Sequence, residues 1–113
     1  MYNYKMVSVV HSVAAQSDLE QSLLTLCEGL SADESALIRK AADFAREIYG
    51  EHALGSGEGV WPHALGMARI LVGLRLDADS RLAALLFAVP TYDEHGLAKI
   101  ESGFGPAVAH LVG

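Results

Sequence analysis

The sequence predicts an all-α domain of about five or six helices, and three observations support that prediction. Apolar residues recur at helical spacings of three and four along most of the chain. Helix-capping signatures stand at the starts of these segments. The stretch with strand propensity, 7–13, is followed by no partner strand. The 113 residues, 51% of them hydrophobic, suffice for one domain with a core.

Composition excludes several classes of protein. The net charge of −6, without a Lys/Arg cluster, argues against a surface for duplex nucleic acid. Apolar runs fall short of the roughly 20 residues that span a bilayer, and the first residues lack the features of a signal peptide. The single cysteine, Cys27, excludes an internal disulfide and is typical of a reducing cytoplasm. We therefore expect a cytoplasmic protein without a membrane partner.

The chain divides into an extended N-terminal arm, 1–16, and a helical domain, 17–113. Ser17 and Glu20 form a capping box that opens the first helix. We expect Gly29 to end this helix. Its predicted inward residues are Leu19, Leu23, Leu24 and Cys27.

A second capping box, Ser31 with Glu34, opens a helix that we expect to run to about Tyr49 and to end at Gly50. Its predicted inward stripe is Leu37, Ala41, Phe44, Ala45 and Ile48. The next segment, 52–59, contains three glycines and is interpreted as a flexible connector, since it lacks the lysine of a phosphate-binding loop.

Two central helices fill the stretch from Trp61 to Val89, around which the chain is organised. Pro62 suits the first position of the earlier helix. The inward face of that helix is predicted to carry His63, Met67, Ile70, Leu71 and Leu74. The later helix begins after a cap at Asp77 or Asp79, is apolar on every side over 82–89, and stops at Pro90. His63 is therefore expected to face the most buried helix.

The remaining residues predict a turn and two short helices. The turn covers 91–94, and the helix after it should face inward with Leu97, Ile100 and Phe104. Pro106 opens a last helix that ends in apolar residues. From this ending we expect the chain to be the N-terminal part of a longer protein. Apolar surface left uncovered on 82–89 or 108–112 would favour a homodimer of this part.

Among the chemically active side chains, His63 is the first candidate. It could serve as a metal ligand or an acid–base group, or it could be a half-buried histidine bonded to a backbone carbonyl. No second histidine lies at a metal-binding spacing from it, and we interpret the others as solvated. These others are His11, His52, His95 and His110. Cys27 is interpreted as a buried thiol, and the acidic pairs 77/79 and 93/94 as helix caps.

Several separated motifs resemble the N-terminal HD domain of the RelA/SpoT family, the enzymes that make and hydrolyse guanosine tetra- and pentaphosphate, (p)ppGpp. They agree with it in order and distance from about Ser31 to Gly113. The matching pieces are Ser56-Gly57-Glu58, His63, Ala68-Arg69-Ile70-Leu71, Leu76-Asp77, Ala83-Ala84-Leu85-Leu86, Phe104-Gly105, Val108-Ala109 and Leu111-Val112-Gly113. The resemblance implies an HD-domain-like helical bundle, of which this chain is the N-terminal portion.

The resemblance also assigns roles to positions of this chain. In hydrolysing members one histidine, a His-Asp pair and a later Asp bind Mn²⁺, and a Glu-Asp pair helps to activate water. The first histidine is kept here as His63. The His-Asp pair falls on Phe87 and Ala88, and the Glu-Asp pair on Thr91 and Tyr92. The metal is thus expected to be lost, and we predict no catalytic residue and no cofactor for this domain.

These departures are similar to those of the RelA branch, whose members are synthetases with a degenerate HD domain. The resemblance then implies a parent GTP pyrophosphokinase of the stringent response, which uses Mg²⁺ to move pyrophosphate from ATP to the 3′-OH of GTP or GDP. Its implied partners are the synthetase domain of the same chain and the ribosome. Whether guanine nucleotide binds near His63 stays open, and two alternatives remain: an active Mn-dependent (p)ppGpp phosphohydrolase, and an unrelated α-helical interaction module.

Overall fold

The computed structural model describes residues 18–113, and every regular element in that range is a helix. Helix α1 covers 18–26, and it is followed by α2 (Ala32–Tyr49), α3 (Val60–Gly73), α4 (Ala78–Leu86), α5 (Val89–Tyr92), α6 (Gly96–Phe104) and α7 (Pro106–Val112). The predicted all-α bundle is confirmed. The predicted arm, 1–16, and the capping residue Ser17 lie outside the described residues.

Helix α2 forms as its end signals predict. The Ser31 hydroxyl accepts from the Glu34 N–H at 3.1 Å, and the Glu34 carboxylate accepts from the Ser31 N–H at 2.9 Å. Gly50 ends the helix with a φ of 48°, which glycine adopts without strain. Ala41 and Ala45 are buried as predicted, but the centre of the buried face is shifted by one residue, because Ile38, Ala42 and Tyr49 are buried as well. Leu37, Phe44 and Ile48 pack at its margin.

In α1 the predicted inward face is wrong at one position. Leu24 is 54% exposed, while Leu26 is fully buried. Leu23 and Leu26 are three residues apart and share the side of α1 that joins the core. Cys27, which was predicted to be buried, is only partly buried and lies at the edge of the core. Gly29, with a φ of 78°, lies in the turn that follows the helix.

The fully buried residues of helix α3 are a valine and two alanines, which the prediction did not place on the inward face. Val60, Ala64 and Ala68 are fully buried, whereas Ile70 is 64% and Leu74 66% exposed. Alanine lets two helix backbones approach closely, and α3 packs most extensively against α4. The helix also begins at Val60, before Pro62, so proline stands at the third helical position instead of the first. It remains in the first turn, where no intrahelical N–H is needed.

Helix α4 is the centre of the bundle, as predicted. Leu82, Leu85 and Leu86 are fully buried, and α4 contacts α2, α3 and α7. Of the two predicted caps, Asp77 is the one that accepts from the Ser80 N–H, at 3.0 Å.

Arg81 is the exception to the apolar character of α4. Its side chain is 5% exposed. Its Nε donates to the Leu76 carbonyl at 3.0 Å, and its Nη1 donates to the carbonyls of Leu26 and Glu28 at 2.9 and 2.7 Å. One guanidinium thereby joins α4 to the end of α1 and to the α3–α4 turn.

The end of α4 differs from the prediction. The regular helix stops at Leu86, a turn through Phe87 and Ala88 follows, and Pro90 lies in the first turn of α5. Proline lacks the N–H that would bond to the Leu86 carbonyl, so the break falls upstream of the proline and not at it. Thr91 and Tyr92 are consequently helical, where a turn was predicted.

Helices α6 and α7 close the described chain. Ile100 is fully buried, as expected, and Phe104 packs at the edge of the core. In the segment 108–112, which was expected to leave apolar surface uncovered, Val108 is fully buried and Leu111 is 56% exposed. Leu97 is 41% exposed, so its predicted inward position is wrong. Pro106 opens α7 as predicted. Within 18–113 no helix is long and apolar enough to cross a membrane.

Candidate functional site

The structure brings His63 of α3 against the turn that follows α4. The His63 and Phe87 ring centroids are 5.6 Å apart, with the ring planes tilted by 55°. Ala88, the next residue, is almost fully buried. The predicted juxtaposition of His63 with this end of the central helix is thus confirmed. The apolar Phe87 ring lies against the imidazole, and the buried Ala88 that follows it carries only a methyl group.

Glu58 is the polar partner of His63. Its Oε2 lies 3.0 Å from His63 Nδ1, and both side chains are partly exposed. The carboxylate therefore faces solvent on one side and the imidazole on the other. The pair needs no metal to satisfy the Nδ1 atom of His63.

Tyr49 fixes the turn that carries Phe87 and Ala88. Its hydroxyl donates to the Leu85 carbonyl at 2.7 Å and accepts from the Ala88 N–H at 3.2 Å. Its ring contacts those of Phe87 and Tyr92 edge-on, each with a centroid distance of 6.3 Å. These bonds replace the helical pairing that is interrupted at the end of α4.

The segment between α2 and α3 is closed by backbone bonds and by an aromatic stack. The Val60 N–H donates to the His52 carbonyl at 3.0 Å, and the Leu54 N–H to the Glu58 carbonyl at 2.8 Å. The His52 ring stacks on Tyr92 with a centroid distance of 4.3 Å. His52 is exposed, as predicted, but Tyr92 covers one face of its ring. The predicted connector is a hydrogen-bonded turn that presents Glu58 to His63.

The donor set at His63 does not fit a manganese ion. Phe87 and Ala88 carry no ligand atom, Thr91 is exposed, and the Tyr92 ring is held in the stack with His52. A divalent transition ion needs three or four converging donor atoms from the protein. At this site only the side chains of His63 and Glu58 offer such atoms, and two donors are too few. In the described part of the chain no three His, Cys, Asp or Glu residues are grouped to hold a metal.

The other candidate residues lie apart from His63 and have local roles. His95 is exposed, beside Glu94, and His110 is exposed on α7. Asp93 bonds Lys99 at 2.6 Å, and this bond lowers the pKa of the Asp93 carboxyl. A hydrogen bond from the Ser80 N–H likewise lowers the pKa of Asp77. Asp77 caps α4, and Asp79 makes no capping bond of its own. The predicted caps at 93/94 are wrong, because α6 begins after His95 without a side-chain capping bond, although Asp93 accepts from the His95 N–H.

Inspection of the sequence missed Tyr49 and the contact between Glu58 and His63. The burial of Tyr49 has a signal in hindsight, because Ala41, Ala45 and Tyr49 recur every four residues on one face of α2. The Glu58 contact has no periodic signal, since it depends on how the turn before α3 folds back.

The burial of Tyr49 predicts a specific loss of stability in alkali. Desolvation raises the pKa of its phenol from 10.0 to about 12. The unfolded chain then releases this proton near pH 10, whereas the folded chain holds it until about pH 12. Between these values the unfolded state binds fewer protons, so the stabilising contribution present below pH 10 is lost as the pH rises.

The measurement is the free energy of unfolding in urea, below pH 10 and between pH 10 and 12, for the wild type and for Tyr49→Phe. We expect the wild type to lose stability more steeply than the variant across the alkaline window. Parallel curves would show that Tyr49 does not titrate differently in the two states.

Comparison with known proteins identifies the family of this helical domain. A family model described as "HD domain" matches residues 41–113. The chain is also 32% identical, over 106 residues, to a protein of Aquifex aeolicus (strain VF5) named guanosine-3′,5′-bis(diphosphate) 3′-pyrophosphohydrolase. That match covers 94% of this chain but 14% of the relative, so the chain spans about one seventh of the relative's length. The matches exclude an unrelated helical module: the chain belongs to the HD domain family, as an HD domain of the RelA/SpoT family.

Proposed function

We propose that this domain is a catalytically inactive pseudo-hydrolase and that it belongs to a RelA-type (p)ppGpp synthetase. The observation that carries the proposal is the contact between His63 and Phe87, at 5.6 Å, with Ala88 buried beside it. By resemblance, these two positions hold the His-Asp pair in hydrolysing members of the family. Here they hold side chains without a lone pair to give to a metal.

The proposal rests first on metal chemistry. A phenyl ring and a methyl group remove two ligands and fill their space with apolar volume, which disfavours a hydrated divalent ion. The remaining imidazole has a nearby carboxylate, Glu58, but two donors cannot hold a divalent ion against water.

It rests secondly on the acid–base residues. The positions of the water-activating Glu-Asp pair are Thr91 and Tyr92. A threonine hydroxyl is a poor general base near neutral pH, and the Tyr92 ring packs between Tyr49 and His52. The chain therefore offers no carboxylate at the positions where hydrolysing relatives activate water.

What remains for such a domain is a structural and regulatory role. We propose that it packs against the synthetase domain of a longer chain and helps to set the balance between its active and inactive states. The parent would be a cytoplasmic GTP pyrophosphokinase that requires Mg²⁺ and acts with the ribosome. The support for a guanine-nucleotide enzyme is the relative's name, which is that of a guanosine-3′,5′-bis(diphosphate) hydrolase.

The test combines the metal content of the purified domain with a ppGpp hydrolysis assay in added Mn²⁺. We expect no stoichiometric metal and no turnover, and the same result for a longer chain of the same protein. Stoichiometric manganese with turnover would instead support the alternative, an active phosphohydrolase that uses His63.

A double substitution tests the assignment of the degenerate pair. We expect Phe87→His/Ala88→Asp to restore no (p)ppGpp hydrolysis, because Thr91 and Tyr92 still lack the water-activating carboxylates. The assay is run with Mn²⁺ after circular dichroism has shown that the variant keeps the helical content of the wild type. Phe87→Leu/Ala88→Ser is the control for repacking. Measurable breakdown by Phe87→His/Ala88→Asp, but not by the control, would contradict the roles assigned to these positions.

A further inference from the structure

A surface cavity of about 540 Å³ opens between the end of α1 and the α3–α4 turn. Its wall includes Glu28, Gly29, Gly73, Arg75 and Arg81, and it shares no lining residue with the His63 site. Two of the wall residues are arginines, on a chain whose net charge is −6. The cavity is therefore a local positive spot on an acidic domain.

Arg81 lines this cavity, and three hydrogen bonds hold its side chain in place. Its Nε and Nη1 are used by the three backbone carbonyls described above, and Nη2 donates no hydrogen bond to residues 18–113. No buried side-chain nitrogen in that range lacks a partner. A nearly buried arginine thus forms part of the cavity wall.

Arg75 supplies the second guanidinium. It is exposed, and its side chain makes no hydrogen bond or ion pair with the part of the chain that the structure describes. No carboxylate in this part lies within 4.0 Å of either arginine. The buried Arg81 is thus hydrogen-bonded to carbonyls and forms no direct ion pair with this part of the chain, although buried charges are normally paired with an opposite charge.

We propose that this cavity binds the phosphate or diphosphate group of a small molecule. Guanidinium groups match phosphate oxygens with paired N–H donors, and Arg81 is already held in place, so little side-chain entropy is lost on binding. The volume falls within the range of small-molecule sites. The proposal is independent of whether the His63 site is inactive.

The test is a titration of the folded domain with inorganic pyrophosphate, followed by amide chemical shifts and by calorimetry. We expect saturable shifts centred on Gly29 and Gly73. Arg75→Ala should weaken binding by roughly tenfold or more, since a charge-assisted bond contributes about 1.5–3 kcal/mol. Arg75→Lys should recover part of the affinity, because the charge remains while the paired geometry is lost.

Two further variants separate a built site from general charge attraction. Arg46→Ala removes an exposed arginine in the last turn of α2, away from the cavity wall, and should leave the affinity unchanged. Glu28→Gln removes the one carboxylate of the wall and should tighten binding severalfold, while its backbone carbonyl still accepts from Arg81.

Absence of saturable binding would overturn the proposal. So would an equal weakening by Arg46→Ala and Arg75→Ala, or shifts that lie outside the cavity wall. These variants leave Arg81 in place, so the result does not depend on a substitution that endangers the fold.

Discussion

Replacement of Arg81 by methionine is expected to lower the free energy of unfolding by about 3–5 kcal/mol. Methionine keeps an unbranched stem that fills similar space, but it leaves the Leu26, Glu28 and Leu76 carbonyls without the donor that now satisfies them. A buried acceptor left without a partner costs about 1–3 kcal/mol. Relaxation and entry of water at the two partly buried bonds keep the total below the simple sum.

Urea denaturation measures this loss, and Arg39→Met is the matched control. Arg39 forms a two-pronged bond with Glu20, at 3.0 and 2.7 Å, but this pair is exposed at the surface. Exposed ion pairs contribute at most about 1 kcal/mol, so the control should lose much less stability. Equal losses in the two variants would mean that the carbonyls around Arg81 are satisfied by water in its absence.

The sequence contained most of the information on where helices start and stop. Ser31 and Asp77 cap their helices and Pro106 opens α7 as predicted, because these signals depend on atoms within a few residues of the helix end. The break after α4 was also signalled, by Pro90, but its exact place was not. It depends on Tyr49, which supplies substitute hydrogen bonds from a distant helix.

The inward faces of the helices were harder to predict. Helix α3 carries small apolar residues on one side and large ones on another, and periodicity alone selects neither. The spacing of Ile70 and Leu74 from His63 predicts that they face inward, but the bundle buries Ala64 and Ala68 instead. Close packing of backbones is a property of the assembled helices, and a single helix pattern does not reveal it.

In the candidate site, too, contacts between neighbouring helices could be predicted, whereas contacts that depend on the folding of a loop could not. The facing of His63 and Phe87 follows from two consecutive helices that pack as neighbours, and it was predicted. The partner of His63, Glu58, and the stack of His52 on Tyr92 both depend on the closed turn between α2 and α3. The buried Arg81 was visible as a lone charge in an apolar run, yet its carbonyl partners come from two other segments.

Tyr49→Ala is expected to be the most damaging change near the candidate site, with a loss of about 4–5 kcal/mol. Removal of a buried aromatic ring costs about 3–5 kcal/mol, and loss of the hydroxyl leaves the Leu85 carbonyl and the Ala88 N–H without a bond. Tyr49→Phe, which keeps the ring, should lose about 1–3 kcal/mol.

The two variants together separate packing from hydrogen bonding, and urea denaturation with amide hydrogen exchange provides the measurement. In Tyr49→Phe we expect faster exchange at Ala88 and in α5, while α2 stays protected, because the hydroxyl connects α2 to the turn after α4. Unchanged exchange at Ala88 would mean that the apolar contacts of Phe87 and Tyr92 hold this turn without the hydroxyl. The position of Phe87 against His63 would then depend on ring packing alone.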